Sequence, residues 1–134
     1  MLFRVGFLLA SILSVMSIAP TVVNCEPSSL FHIDSLSLTP LGLNSTLNMT
    51  YTVPTEITDG VVKYSCTLNG IPVLSESKPL CDDLQCPISV GQHETSTTSV
   101  TPTVKGTLAC TIKWISTTTL LCIKLTTVNN ECSR

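Results

Sequence analysis

The chain has 134 residues, enough for one domain and too few for two. Its formal net charge is −2, with only 12% charged residues and no basic stripe, which leaves nucleic-acid binding nothing to rest on. Seven cysteines in so short a chain point instead to an oxidising compartment and covalent support for a small core, with one thiol left over.

Arg4 precedes an almost wholly apolar run from Val5 to Ala19, the build of a secretory signal peptide and short for a bilayer span. Ala19 suits cleavage and Pro20 does not suit the position after it, so the expected cut lies between residues 19 and 24, with a folded domain over 25–130. No second run is long enough to span a membrane, so the exported chain is expected to be soluble. Two sequons, Asn44-Ser45-Thr46 and Asn48-Met49-Thr50, agree with export as glycosylation acceptors.

From there apolar residues alternate at period two between turn residues, and helix signals are nearly absent. Phe31, Ile33, Leu36 and Leu38 mark a first strand; Leu47, Met49, Tyr51 and Val53 mark a second, which Pro54 stops. After Asp59-Gly60 come Val62, Tyr64, Cys66 and Leu68 on one face, with Lys63, Ser65 and Thr67 on the other. Asn69-Gly70 is a strong hairpin signal, and Pro72 in the short strand Ile71–Leu74 predicts an edge position. A polar loop with Lys78, Cys81, Asp82, Asp83 and Cys86-Pro87 precedes a Thr- and Ser-rich strand over His93–Val100. Leu108, Cys110, Ile112 and Trp114 then alternate with polar or small residues, and Leu121, Ile123 and Leu125 close the series. About seven short strands at regular spacing predict an all-β, immunoglobulin-like sandwich.

In order along the chain, four pieces resemble the ML lipid-recognition domain family, which includes sterol carriers and phospholipid transfer proteins. They are Cys25 with the Ser37-Leu38-Thr39-Pro40 turn; Leu47-Asn48-Met49-Thr50-Tyr51; Asn69-Gly70-Ile71-Pro72-Val73 followed by Cys81 and Cys86-Pro87; and Leu108–Trp114 leading to Leu121-Cys122-Ile123. The resemblance implies disulfides Cys25–Cys122 and Cys81–Cys86. Cys66 and Cys110, outside the family pattern, either bridge or stay as buried thiols, and Cys132 is either the leftover or the partner of Cys66 or of another chain. The resemblance also implies that the two sheets leave an apolar cavity, with its mouth near the Cys81–Cys86 loop and the strand holding Val100. The lipid-binding residues expected on that basis are Tyr64, Leu68, Val73, Val100, Leu108, Ile112, Trp114, Leu121 and Ile123. Alternation alone reads the same whether the gap is filled or empty. An aromatic content of 4% is a compositional hint toward an incompletely filled gap.

The function expected is that of a secreted or endolysosomal monomer that carries a sterol, phospholipid or fatty acid and touches membranes transiently to move it. Ser75, where sterol carriers of the family have a pocket-lining Phe, puts sterol in doubt and keeps phospholipid and fatty acid open. No cofactor or metal is implied: beyond Cys81 and Cys86 there is no second close pair of ligands for zinc. An enzyme is not expected either, since His32 and Asp34 share a strand face without a Ser in a nucleophile elbow. The alternative is a secreted immunoglobulin-like adhesion or lipid-dependent immune-recognition module, although the order Cys…Trp…Cys of such domains is missing.

Overall fold

Turn chemistry and β-branched alternation set where the strands begin and end. The computed structural model describes residues 17–41, 44–100 and 105–129. Within them eight strands follow in order: β1 (Ser17–Asn24), β2 (His32–Leu41), β3 (Asn44–Val53), β4 (Val61–Leu68), β5 (Ile71–Pro79), β6 (Gly91–Val100), β7 (Gly106–Ile115) and β8 (Thr119–Asn129). A single 3₁₀ turn, Leu80–Asp82, interrupts the series. Two antiparallel sheets result, one ordered β1-β8-β7-β4-β5 and the other β2-β3-β6. The predicted all-β, immunoglobulin-like sandwich is therefore present, with eight strands where seven were expected.

The extra strand is β1, which pairs with β8 and overlaps the stretch read as the end of a leader. Its Pro20 is accommodated because β1 is an edge strand and its register slips between Ile18 and Thr21. The second departure is β5, which continues past Leu74 through the residues read as loop. As Pro72 predicted, β5 is an edge. Residues 1–16 of the expected 1–19 leader, and Cys132, lie outside the described residues.

The β4–β5 hairpin turns on Asn69 and Gly70, with φ of 52° and 85°, the left-handed pair that a two-residue turn of this type requires. The Asn69 backbone N–H donates to Thr107 O at 2.8 Å, and its side-chain Oδ1 accepts from Thr107 N at 3.0 Å. Gly106, at φ 114°, makes room for this: a Cβ there would sit 2.7 Å from the Asn69 amide.

Three disulfides hold the frame. Cys25–Cys122 and Cys81–Cys86 are the two that the resemblance implied, and Cys66–Cys110 is the third. Cys66 and Cys110 stand directly opposite each other in β4 and β7, so their shared face was a usable sign of pairing.

Between the sheets, one half of the gap is filled. Phe31 and Tyr51 stack with ring centroids 5.6 Å apart, and Trp114 meets both rings edge-on, at 6.4 and 5.5 Å. Val53, Val62, Leu80, Leu120, Leu121 and Ile123 are fully buried around them. β1 and β2 lie against each other across the two sheets and close that side; among the described residues no comparable approach joins β5 to β6.

Candidate functional site: a cavity between the sheets

One step along the strands from the aromatic cluster, the packing stops. A cavity of about 490 Å³ lies between the sheets, within the size range usual for small-molecule sites. Register explains its walls. Ile112, Cys110 and Leu108 of β7 continue the inward face begun by Trp114, opposite Ile123, Leu125 and Thr127 of β8 and Tyr64, Cys66 and Leu68 of β4. From the facing sheet come Leu38 of β2, Ser45 and Leu47 of β3, and Thr97 of β6. Pro20 of β1 and Leu74 of β5 complete the lining at the two edges of the larger sheet.

The lining is mainly aliphatic, with the Cys66–Cys110 bridge forming part of one wall. Its polar side chains are hydroxyls, at Ser45, Thr97, Thr127 and Tyr64, and among the described residues no charged side chain lines it. Such a surface attracts hydrocarbon and offers only weak hydrogen-bonding groups for orientation.

Of the residues expected from the resemblance, Tyr64, Leu108 and Ile112 lie in the cavity lining. Trp114, Leu121 and Ile123 share the same inward face but are buried in the filled half, and Leu68 is half-buried outside the lining. Val73 is 55% exposed and does not reach the cavity; its neighbour Leu74 does. A register shift in the β4–β5 pairing, between Cys66 and Thr67, changes which residue of β5 faces inward, and a simple two-residue count misses it. The side chain of Val100 lies outside the described residues, as does that of the sequon residue Asn44. Leu38, Leu47 and Leu125 were overlooked although they alternate as cleanly as the residues chosen; nearly all the expected wall came from the larger sheet.

A polar tie stands where the cavity meets the Cys81–Cys86 loop. The Tyr64 hydroxyl donates to Asp83 Oδ2 at 2.8 Å, Lys78 Nζ approaches Asp83 Oδ1 at 2.9 Å, and Nζ lies 5.5 Å from the centre of the Tyr64 ring. Partial burial raises the Asp83 pKa, but the hydrogen bonds from Lys78 and Tyr64 and the lysine charge outweigh it and hold the carboxyl below its ordinary 3.8. Burial, then the bond to Asp83, pushes the Tyr64 hydroxyl up, so it remains a neutral donor. The loop itself borders a separate cleft of about 370 Å³ bounded by Tyr51, Cys86, Pro87, Ile88 and His93. The loop where the mouth is expected borders this smaller cleft, and Tyr64, in the lining of the large cavity, is tied to that loop through Asp83.

The remaining chemistry-bearing residues lie elsewhere. His32 Nδ1 and Asp34 Oδ1 are 2.8 Å apart, and Asp34 Oδ2 accepts from Thr52 at 2.6 Å and Gln92 at 3.1 Å. The His32 side chain is 80% exposed and Asp34 is also exposed, outside the cavity lining. His93 stacks on Tyr51, with its Nε2 2.7 Å from Ser89 O. Among the described residues no group of three or more His, Cys, Asp or Glu is placed to hold a metal ion.

A family model described as the ML domain matches residues 20–128. No curated protein matches the sequence significantly. Among solved structures, chicken MD-1 complexed with lipid IVa superposes with a TM-score of 0.62 at 18% identity, covering 82% of this chain and 88% of that one. A Niemann-Pick type C2 protein from the Japanese carpenter ant gives a TM-score of 0.46, at the same identity and coverage.

Proposed function

Because the chain belongs to the ML domain family, we propose that it binds a lipid between its sheets and passes that lipid to and from membranes. The observation that carries the reading is the cavity itself: about 490 Å³, aliphatic, free of charged side chains among the described residues, and left between two sheets that are otherwise well packed. Moving a methylene from water into such a space stabilises by about 0.8 kcal/mol, so a hydrocarbon chain is held without any strong polar contact. The fold shared with MD-1, whose solved complex contains lipid IVa, supports the reading. Binding of this kind asks for no catalytic group.

Exchange with a membrane has its own support. Ile71, Val73 and Leu74 are exposed on β5, at the open edge of the larger sheet and beside the cavity, where an apolar strip can touch a lipid surface. A lipid leaving there moves from one apolar environment to another. Three disulfides fit an oxidising lumen, so we place the protein in the secretory route, outside cells or in the endolysosomal lumen.

The test is to purify the secreted protein, extract it with organic solvent and identify co-purifying lipid by mass spectrometry. Lipid at close to one molecule per chain is the expected result. A lipid-free protein that fails to take up lipid from vesicles, yet binds a cell-surface partner tightly, would favour the adhesion module instead.

A further inference from the structure

We infer that the cavity accepts one acyl chain, lying across the strands, and measures its length. The inference rests on the lipid-binding reading and narrows it. Its lining runs across every strand of the larger sheet, from Pro20 on β1 to Leu74 on β5. Four interstrand spacings make that span about 19 Å. A volume of 490 Å³ spread over a slot of that length leaves a mean cross-section of about 25 Å². That is room for one hydrocarbon chain and not for two side by side.

Volume sets the capacity as well. A methylene takes up on the order of 30 Å³, the share of one water in the liquid, so 490 Å³ holds about sixteen of them. The two ends of the slot differ. At the β1–β2 side the sheets meet, and Pro20 and Leu38 stand at the closed end. At the β5–β6 side the strands make no such close approach among the described residues, and Leu74 and Thr97 stand at an open edge.

Charge marks the same polarity. On β5 the register pairs Leu74, Glu76 and Lys78 with Cys66, Tyr64 and Val62, so the cavity-facing side of this edge strand passes from aliphatic to charged. A chain entering there leaves its polar head at the rim, because the interior offers hydroxyls and no counter-ion among the described residues. Fatty acids and lysophospholipids share this chemistry of one tail and an external head.

The experiment is a titration, by calorimetry on delipidated protein, with saturated fatty acids of about 10 to 22 carbons and with lysophosphatidylcholines of the same tails. Affinity is expected to rise about fourfold per methylene and to stop rising near sixteen carbons, at the same length in both series if the head stays outside. A break in the fatty-acid series alone would show that a free acid is the ligand and that the lysophospholipid head is excluded. Diacyl phosphatidylcholine should bind no better than the lysolipid carrying one of its tails. Leu38→Trp, at the closed end, should move the break to shorter chains by about two carbons. Leu74→Ser, at the open edge, should weaken every chain by a similar factor and leave the break in place. An unbroken rise through the longest chains, preference for the diacyl lipid, or an unmoved break in a Leu38→Trp protein with a wild-type circular dichroism spectrum would each overturn the ruler. If lipid co-purifies with the protein yet no break is found, the ruler alone fails. If neither lipid in the extract nor binding of any chain is seen, the carrier reading fails with it.

Discussion

The two halves of the sandwich are made by the same strands, and they differ in what the inward side chains are. Around Phe31, Tyr51 and Trp114, rings and branched aliphatics meet across the gap and leave no space. One inward position further along, β3 offers Leu47 and Ser45, β6 offers Thr97, and β7 and β4 offer the cystine of Cys66 and Cys110. These groups are too short to reach across, because two packed sheets stand about 10 Å apart. The lesson is that this fold does not need a special architecture to make a cavity. It needs small side chains over part of a face whose remainder is strong enough to hold both sheets.

That contrast can be broken from its strong side first. Trp114→Ala, in the filled half, should cost about 3–5 kcal/mol, read from denaturant midpoints, because it opens a void among groups that cannot follow. The open half lacks that packing, and the Cys66–Cys110 bridge is the covalent substitute in its wall. Replacing both cysteines by alanine should lose up to about 4 kcal/mol by the loop-entropy relation for a separation of 44 residues. Lipid retention should fall with it, since β4 and β7 both line the cavity. By contrast Ile112→Ala, inside the open half, should cost no more than about 1.5 kcal/mol, because a side chain already half in contact with empty space loses few partners. A large loss there would mean that the gap closes in solution.

How much of this contrast the sequence announces differs from element to element. β4, β7 and β8 carry uninterrupted alternation, and their inward faces were legible residue by residue. β1 was not, because Ser17–Asn24 adjoins an apolar run that reads as a leader and contains a proline. The second half of β5 was missed for the opposite reason: Ser75, Glu76, Ser77 and Lys78 are polar throughout, and only an edge strand with little burial tolerates that. Openness itself leaves almost no trace in the period. Leu108 and Leu121 alternate alike, yet one lines empty space and the other is fully buried. The low aromatic content was a true hint whose meaning is spatial: among the described residues the buried rings all lie in one half, and Tyr64 stands at the boundary.

The smallest expected effect concerns that boundary. The folded Asp83 pKa is depressed, so the tie among Tyr64, Lys78 and Asp83 contributes stability above the ordinary carboxylate value of 3.8 and loses it as pH falls through the lower folded value. Both charged partners are substantially exposed, which keeps the contribution slight. Thermal midpoints of the wild type and Asp83→Asn should therefore keep a constant difference from pH 7 to 5 and converge only below about 4. Convergence at a higher pH would mean that another group controls this end of the cavity.

Native mass spectrometry compares the two halves most directly. Wild-type protein offered single-tailed lipid should show one added lipid per chain, and Ile112→Trp, whose ring obstructs the slot midway, should show far less while melting no lower than the wild type. Equal lipid loading of the two proteins would contradict the claim that the space between Leu47 and Ile112 is where hydrocarbon is held.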